Sequence, residues 1–358
     1  MKINTFLKKF LALVVPCLFS ASLAFGQAEV PVEIGAGVKP MDYEKVGTTG
    51  WQFLKLYTNA RTAAMGGIIS SISHGDATSA LGNPASIADV NNLDASLTQM
   101  NWIADISYNS ASVVKNMGQW GVFGLNLISL DYGTMYRTSI KANMTATGVP
   151  DGTYDLELDE GTFSGGDLAV GLSYARQVTD RLQVGGTVRY ISETLDDGGG
   201  VITSNWAIDV GTLYYTGVKS LRIAMLGRNF GPDVNFAAYS ERVMVPPTDV
   251  KMPMQYVMGV AYNLLEENNG SPHLLTVASE FVHPNDGPEK LHFGAEYTFN
   301  RIISLRAGYR YNYNEEGMTL GAGLNIHTGD FRLRINYAYV DFGTFDYVHL
   351  YTLNIGLD

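Results

Sequence analysis

Ten charged residues share one parity of alternating stretches: Arg189, Asp209, Arg222, Arg228, Glu280, Glu296, Arg306, Arg310, Arg332 and Arg334. Groups of this kind could form a ladder that selects solutes by charge, or a carboxylate pair acting as acid and base. They could equally be the ion-paired wall of a water-filled interior, the reading that asks least of them. Other chemistry finds little support. Ser, His and Asp all occur, but no G-x-S-x-G stands in the chain, and His74, His273, His283, His292, His327 and His349 are scattered. Neither a serine nucleophile nor a metal site follows from them. Asp155, Glu157, Asp159 and Glu160 lack the Asp/Asn-Gly spacing of a calcium loop and read as a solvated hairpin edge. Gly165-Gly166, Gly185-Gly186 and Gly198-Gly199-Gly200 precede no helix, so they cradle no phosphate. The sequence carries no enzyme signature, and no cofactor or metal is expected.

The elements that must position these charges are strands. From Leu291 onward, Leu291, Phe293, Ala295, Tyr297 and Phe299 alternate with His292, Gly294, Glu296 and Thr298. Ile303, Leu305, Ala307, Tyr309, Tyr311 and Tyr313 alternate with Ser304, Arg306, Gly308, Arg310 and Asn312, and the pattern recurs to Leu357. Period two puts successive side chains on opposite faces of a sheet. Fourteen stretches qualify: 94–101, 105–115, 119–130, 165–176, 181–192, 203–215, 220–229, 254–265, 273–282, 290–299, 302–313, 318–327, 331–340 and 347–357. They are long enough to cross a bilayer at a tilt, with tyrosines near their ends. Short and long links mostly alternate between them, with 131–164 and 230–253 the longest. The expected fold is a transmembrane antiparallel β-barrel whose apolar parity meets lipid and whose polar parity lines the lumen. Arg in place of Leu305 or Leu333 should then be harmful, and Arg in place of Gly308 or Asn336 tolerated. The lumen parity shows no apolar cluster large enough to line a hydrophobic pocket.

The N-terminus fits an exported chain. Lys2, Lys8 and Lys9 precede an apolar run ending near Phe19, and Ala24-Phe25-Gly26 has the form of a cleavage site. Residues 1–26 read as a signal peptide, and they contain Cys17, the single cysteine. The remainder has 21 basic against 35 acidic residues, a net charge of −14, which disfavours nucleic acid as a partner. Residues 27–49 read as a flexible periplasmic arm and 93–358 as the barrel, with both termini periplasmic. The segment 50–92 reads as an N-terminal plug, with helical turns ended by Gly66-Gly67 and others around Asn83-Pro84. Phe53, Leu56 and Met65 should meet the wall, and Arg61 should pair with Glu280 or Glu296.

Specific strings add a resemblance. Gly50-Trp51-Gln52-Phe53-Leu54-Lys55-Leu56, then Asn59-Ala60-Arg61-Thr62-Ala63-Ala64-Met65-Gly66-Gly67, resemble the start of the PorV/PorQ family. Leu81-Gly82-Asn83-Pro84-Ala85 is similar to that family's Asn-Pro-Ala element, and Asn101-Trp102-Ile103-Ala104-Asp105-Ile106-Ser107-Tyr108 follows in the family's order. The chain departs from the pattern at Ser86, where Gly would be expected. The resemblance implies a FadL-like 14-stranded barrel of the Gram-negative outer membrane. It also implies a role in type IX secretion: binding cargo with a C-terminal signal domain at the translocon and passing it to the surface attachment machinery. Its partners would be outer-membrane lipid, translocon and attachment-complex proteins, and cargo C-terminal domains. FadL-type relatives instead move hydrophobic small molecules, and that alternative stays open.

Overall fold

The structure, a computed structural model, describes residues 47–72, 75–145, 150–157, 161–196, 201–235, 249–265 and 272–357. The signal segment, most of the arm, His74, Asp159, Glu160 and Gly198-Gly199-Gly200 lie outside them. Fourteen strands form one closed antiparallel barrel. They are β1 Leu93–Asn101, β2 Ser107–Asn116, β3 Val122–Tyr136, β4 Thr162–Thr179, β5 Leu182–Asp196, β6 Val201–Tyr215 and β7 Arg222–Phe230. The second half is β8 Gln255–Leu265, β9 His273–Pro284, β10 Lys290–Phe299, β11 Ile303–Tyr311, β12 Met318–Thr328, β13 Phe331–Asp341 and β14 Tyr347–Leu357. Each strand pairs with its sequence neighbours, and β1 closes on β14 from Leu93↔Leu357 to Asn101↔His349. Closure leaves no edge with unpaired backbone groups, as a lipid environment demands.

The parity holds around the ring. Leu97, Leu125, Leu172, Trp206, Val210 and Leu305 stand exposed on the outside, whereas Arg189, Asp209, Glu280 and Glu296 are at most 3% exposed. An apolar belt of this extent suits lipid and would be a liability in water. No helix of the described residues is long and apolar enough to cross a membrane.

Three local departures from the expected strands have visible causes. The stretch 131–164 is only partly loop. Gly133 at φ 71°, its N–H donating to Asp131 Oδ1 at 2.9 Å, forms a bulge after which β3 and β4 resume pairing as far as Tyr136↔Thr162. Beyond it, Ser139–Met144 and Pro150–Glu157 make a separate two-stranded ribbon. Residues 118–120 form a turn and not a strand start, with Gly118 and Gly121 both at positive φ. Asn312, at φ 66°, ends β11 early, so Tyr313 leaves the lipid parity and folds in over Arg310, 3.7 Å from its guanidinium.

The N-terminal segment threads the lumen. A 3₁₀ turn Gln52–Lys55 is followed by a short helix α1, Ala60–Ala64, and by 3₁₀ turns Ala77–Leu81 and Pro84–Asp89. Thr49 bridges Lys251 and its hydroxyl donates to Asp286, both at the mouth formed by the long links. Leu93 and Leu357 lie at the opposite mouth, where the short turns are. Residues 47–49 were expected in a loose arm on the side of the C-terminus. They are instead anchored at the far mouth, because Asp286 gathers Thr49, Gln52 and Lys55 around one carboxylate.

Candidate functional site

The wall is bare where the plug touches it. A methyl group on Gly294 would lie 2.6 Å from the Met65 carbonyl oxygen, and one on Gly308 would lie 2.5 Å from the Met65 carbonyl carbon. On the far side of the ring, a methyl on Gly185 would lie 2.6 Å from the Ala85 nitrogen, and Gly211 makes room for the Asn83 amide. Glycine here lets backbone approach backbone. Gly66 and Gly67, at φ 73° and 84°, turn the chain out of α1 and against this wall.

Polar groups then lock the segment. Asn59 caps α1 by accepting from the Thr62 N–H at 2.9 Å, and the Ala60 N–H donates to Thr352 Oγ1 on β14 at 2.8 Å. Thr319 on β12 receives the Gly66 N–H at 3.0 Å and donates to the Ala64 carbonyl at 3.1 Å. Asn83 is wholly buried. Its amide donates to the Ser70 and Thr212 carbonyls at 3.0 and 3.1 Å, and its oxygen accepts from the Ala85 N–H at 3.1 Å. Pro84 follows at the first position of its turn, where no N–H is needed.

The charged residues divide between plug and wall. Arg61 grips Glu296 with two bonds of 2.8 Å, the pairing expected for it, and Arg306 reaches the same carboxylate at 2.5 Å. Burial opposes the charge on Arg61, yet the adjacent Glu296 outweighs it and raises its pKa. Glu280 does not meet Arg61. It accepts from the Ile69 and Ser70 N–H groups and from the Ser70 hydroxyl at 3.0, 2.8 and 2.5 Å. Arg189 pairs with Asp209 at 2.9 Å, wall to wall. Arg310 donates to the Tyr57 hydroxyl at 2.6 Å, and burial still pushes that hydroxyl up to about 12. Arg222 is 8% exposed, and its Nε and Nη2 find no acceptor among the described residues. Several of the interior charges are therefore ion-paired, around a packed plug and not around a water-filled bore.

Alternation could say which residues face inward, not at what height, and height matters. At the long-link end the inward residues are Met100, Tyr108, Ile128, Leu130, Ile191, Val340, Val348 and Leu350, all packed with Trp51, Phe53, Leu54 and Tyr57 of the plug. This corrects the expectation that no apolar cluster lines the lumen: those side chains belong to six different strands and meet only in three dimensions. Met65 sits lower, against Ala261 and Ala278, and Leu56 is half-buried at the edge of the apolar cluster. The short-turn end is polar. There a cavity of about 310 Å³ is lined by Arg61, Glu296, Arg306, Arg332, Arg334 and Asn354, among others.

Fold and interior together define a class: a FadL-like, 14-stranded antiparallel transmembrane barrel with a small N-terminal helical plug, the architecture expected from the sequence. No family model matches the chain, and no curated protein does. Solved structures match throughout the barrel. The Pseudomonas putida toluene transporter TodX is similar over 82% of this chain and 96% of its own, at 14% identity and a TM-score of 0.51. The Ralstonia pickettii toluene transporter TbuX is similar over 84% and 97%, at 16% identity and 0.52. The monoaromatic hydrocarbon channel CymD is similar over 84% and 97%, at 13% and 0.50. Identities this low speak for fold alone.

Proposed function

We propose that the chain is an outer-membrane barrel of a Gram-negative bacterium that admits hydrophobic small molecules. The observation that carries this reading is the apolar half of the lumen, filled by Trp51, Phe53 and Leu54 of the chain itself. These side chains occupy the kind of concave apolar site that a small hydrophobic ligand would use. They hang from the Lys55–Asp286 ion pair at the mouth, so a ligand entering there competes with a short tethered segment and not with the wall. The solved channels of similar fold carry names that refer to toluene and monoaromatic hydrocarbons, which supports the same ligand class. In this reading the long-link mouth is external, and the short turns and Leu357 are periplasmic.

The second reading is the secretion role, favoured by the plug strings from Gly50 to Gly67 and at Asn83-Pro84 and by the packed lumen. Its partners would be the translocon, the attachment complex and cargo C-terminal domains, docking on the external links. One experiment separates the two. Cells lacking the chain should lose uptake of labelled toluene or a long-chain fatty acid and regain it on complementation. Unchanged uptake, with proteins bearing the C-terminal secretion domain trapped in the periplasm, would decide for secretion.

We read the chain as a non-enzyme. The Ser70 hydroxyl donates a hydrogen bond to Glu280, and His292 faces Glu280 at 3.5 Å, so these three make no serine–histidine pair. Hydrolysis of a chromogenic ester by the purified barrel, lost in Ser70→Ala, would overturn this.

A further inference from the structure

The apolar belt on the outside of the barrel has a gap at β1–β3. Outward places can be counted up each strand from the short-turn end. The fourth and fifth on β10, β11 and β13 hold Phe293 and Leu291, Tyr309 and Tyr311, and Tyr337 and Tyr339. On β1, β2 and β3 the same places hold Gln99 and Asn101, Asn109 and Ser107, and Ser129 and Asp131. Met100, Tyr108 and Ile128 between them are buried in the lumen, which fixes the parity. The polar residues are contiguous. Gln99 pairs with Asn109 and Asn109 with Ser129 across the ladder, and two residues higher Asn101 pairs with Ser107 and Ser107 with Asp131.

The belt is not simply displaced downward on these strands. Lys115 holds the first outward place of β2, where its amine donates to Asn92. Between Lys115 and Asn109 only Val113 and Ala111 face out, with Ala95 and Leu97 beside them on β1. The six steps from Lys115 to Asn109 cover about 20 Å of strand, and less of the membrane normal once the strand is tilted. The lipid-facing band of such barrels is roughly 25 Å tall. The Gln99, Asn101 and Asn109 amides are exposed and make no hydrogen bond among the described residues. Hydrocarbon offers an amide no partner, so each one is costly there until another polar group meets it.

We propose that the β1–β3 wall is the contact face of a homodimer within the outer membrane. An amide both donates and accepts, so a group of amides matches its own copy without a charge of either sign to select another partner. In a two-fold contact Gln99 of each copy meets Asn109 of the other. Ala95, Ala111, Ser107 and Ser129 are small, which lets the two sheets approach closely. Tyr351 and Leu168, the ladder neighbours of Gln99 and Ser129, border the patch with apolar bulk. An interface in water has an apolar centre and a polar rim. In lipid the order is reversed, as it is here. A lipopolysaccharide headgroup, with its phosphates, would call for Lys or Arg, and neither stands among the six places. The contact leaves the lumen untouched, so it holds whether the barrel admits hydrocarbons or serves secretion.

The test uses single cysteines, because the one native cysteine, Cys17, lies in the segment read as a signal peptide. Gln99→Cys and Asn109→Cys, treated in intact outer membranes with a short thiol–thiol cross-linker, should give a band of twice the monomer mass. Ser279→Cys, outward on β9 at the opposite wall, should give at least tenfold less of it. Light scattering in mild detergent should report a dimer for the wild type. Gln99→Leu and Asn109→Leu together should raise its dissociation constant about tenfold or more. Leucine suits lipid at these places, and retained heat-modifiable mobility on gels establishes that the variant is folded. A monomeric mass without cross-linked dimer, equal cross-linking at Ser279→Cys, or a product joining the chain to a different protein would overturn the homodimer. So would a monomer that carries lipopolysaccharide and loses it on the leucine substitutions.

Discussion

At the residue scale, two of the carboxylates that hold the plug are Glu296, bound to Arg61, and Asp286, bound to Lys55. Glu296 answers two arginines, so Glu296→Gln takes from Arg61 and Arg306 the buried carboxylate they share. Breaking a buried pair in this way costs roughly 3–5 kcal/mol. The variant should unfold at clearly lower urea than wild type, followed by tryptophan fluorescence in lipid vesicles. Asp286 acts at the mouth. Its burial favours the neutral acid, but hydrogen bonds from Lys55, Thr49 and Gln52 outweigh that and hold its pKa below the usual carboxylate range. A depressed folded pKa stabilises the folded form above the unfolded value of about 3.9, and the contribution is lost as pH falls through the folded value. The latch should therefore hold at neutral pH and loosen below about pH 4, seen as faster proteolysis near Trp51. Asp286→Asn should show the acid behaviour at pH 7. A cleavage rate independent of both changes would mean the latch does not hold the segment.

At the scale of elements, the strands were legible because alternation is a local signal. Strands β10 and β14 run from Lys290 to Phe299 and from Tyr347 to Leu357, the limits that the alternation predicts. What escaped were features made by residues far apart in the chain. Asp286 lies 237 residues from Thr49, and no pattern near either one signals the other. The apolar mouth was missed for the same reason, and Tyr313 because a single left-handed residue reverses parity. One substitution test changes as a result. Leu305→Arg and Leu333→Arg put a charge into lipid, at roughly 2–4 kcal/mol near the midplane, and should lower the yield of folded barrel in outer-membrane fractions. Asn336→Arg, facing the polar cavity, should assemble. Gly308→Arg is no longer a tolerated control, because its side chain would occupy the place of Met65 and Gly66. It should close the barrel but expel the plug, so that protease trims residues 50–90 from a barrel that stays folded.

At the scale of the whole molecule, the closed ladder predicts a protein that fractionates with outer membranes and migrates faster on gels before boiling than after. Recovery in the soluble periplasmic fraction would contradict the barrel. The lumen has two characters, apolar toward the long links and polar toward the short turns, with the plug as the partition between them. The charged wall residues were readable individually from the sequence. Their grouping around one polar cavity was not, because it depends on which carboxylates are shared.

The bond from the Ala60 N–H to Thr352 has a bearing on how such a barrel is made. Thr352 also meets Thr98 at 2.8 Å, so one hydroxyl joins the plug, the last strand and the first strand at the seam of the cylinder. The plug precedes every strand in the chain and leads directly into β1. It is therefore present when β14 arrives to zip the seam, and it offers that strand a fixed point of register before the backbone ladder forms. The segment acts as a mandrel on which the sheet is wound, and a chain lacking residues 50–90 should close more slowly and with more mispaired ends, even if its strands are unaltered.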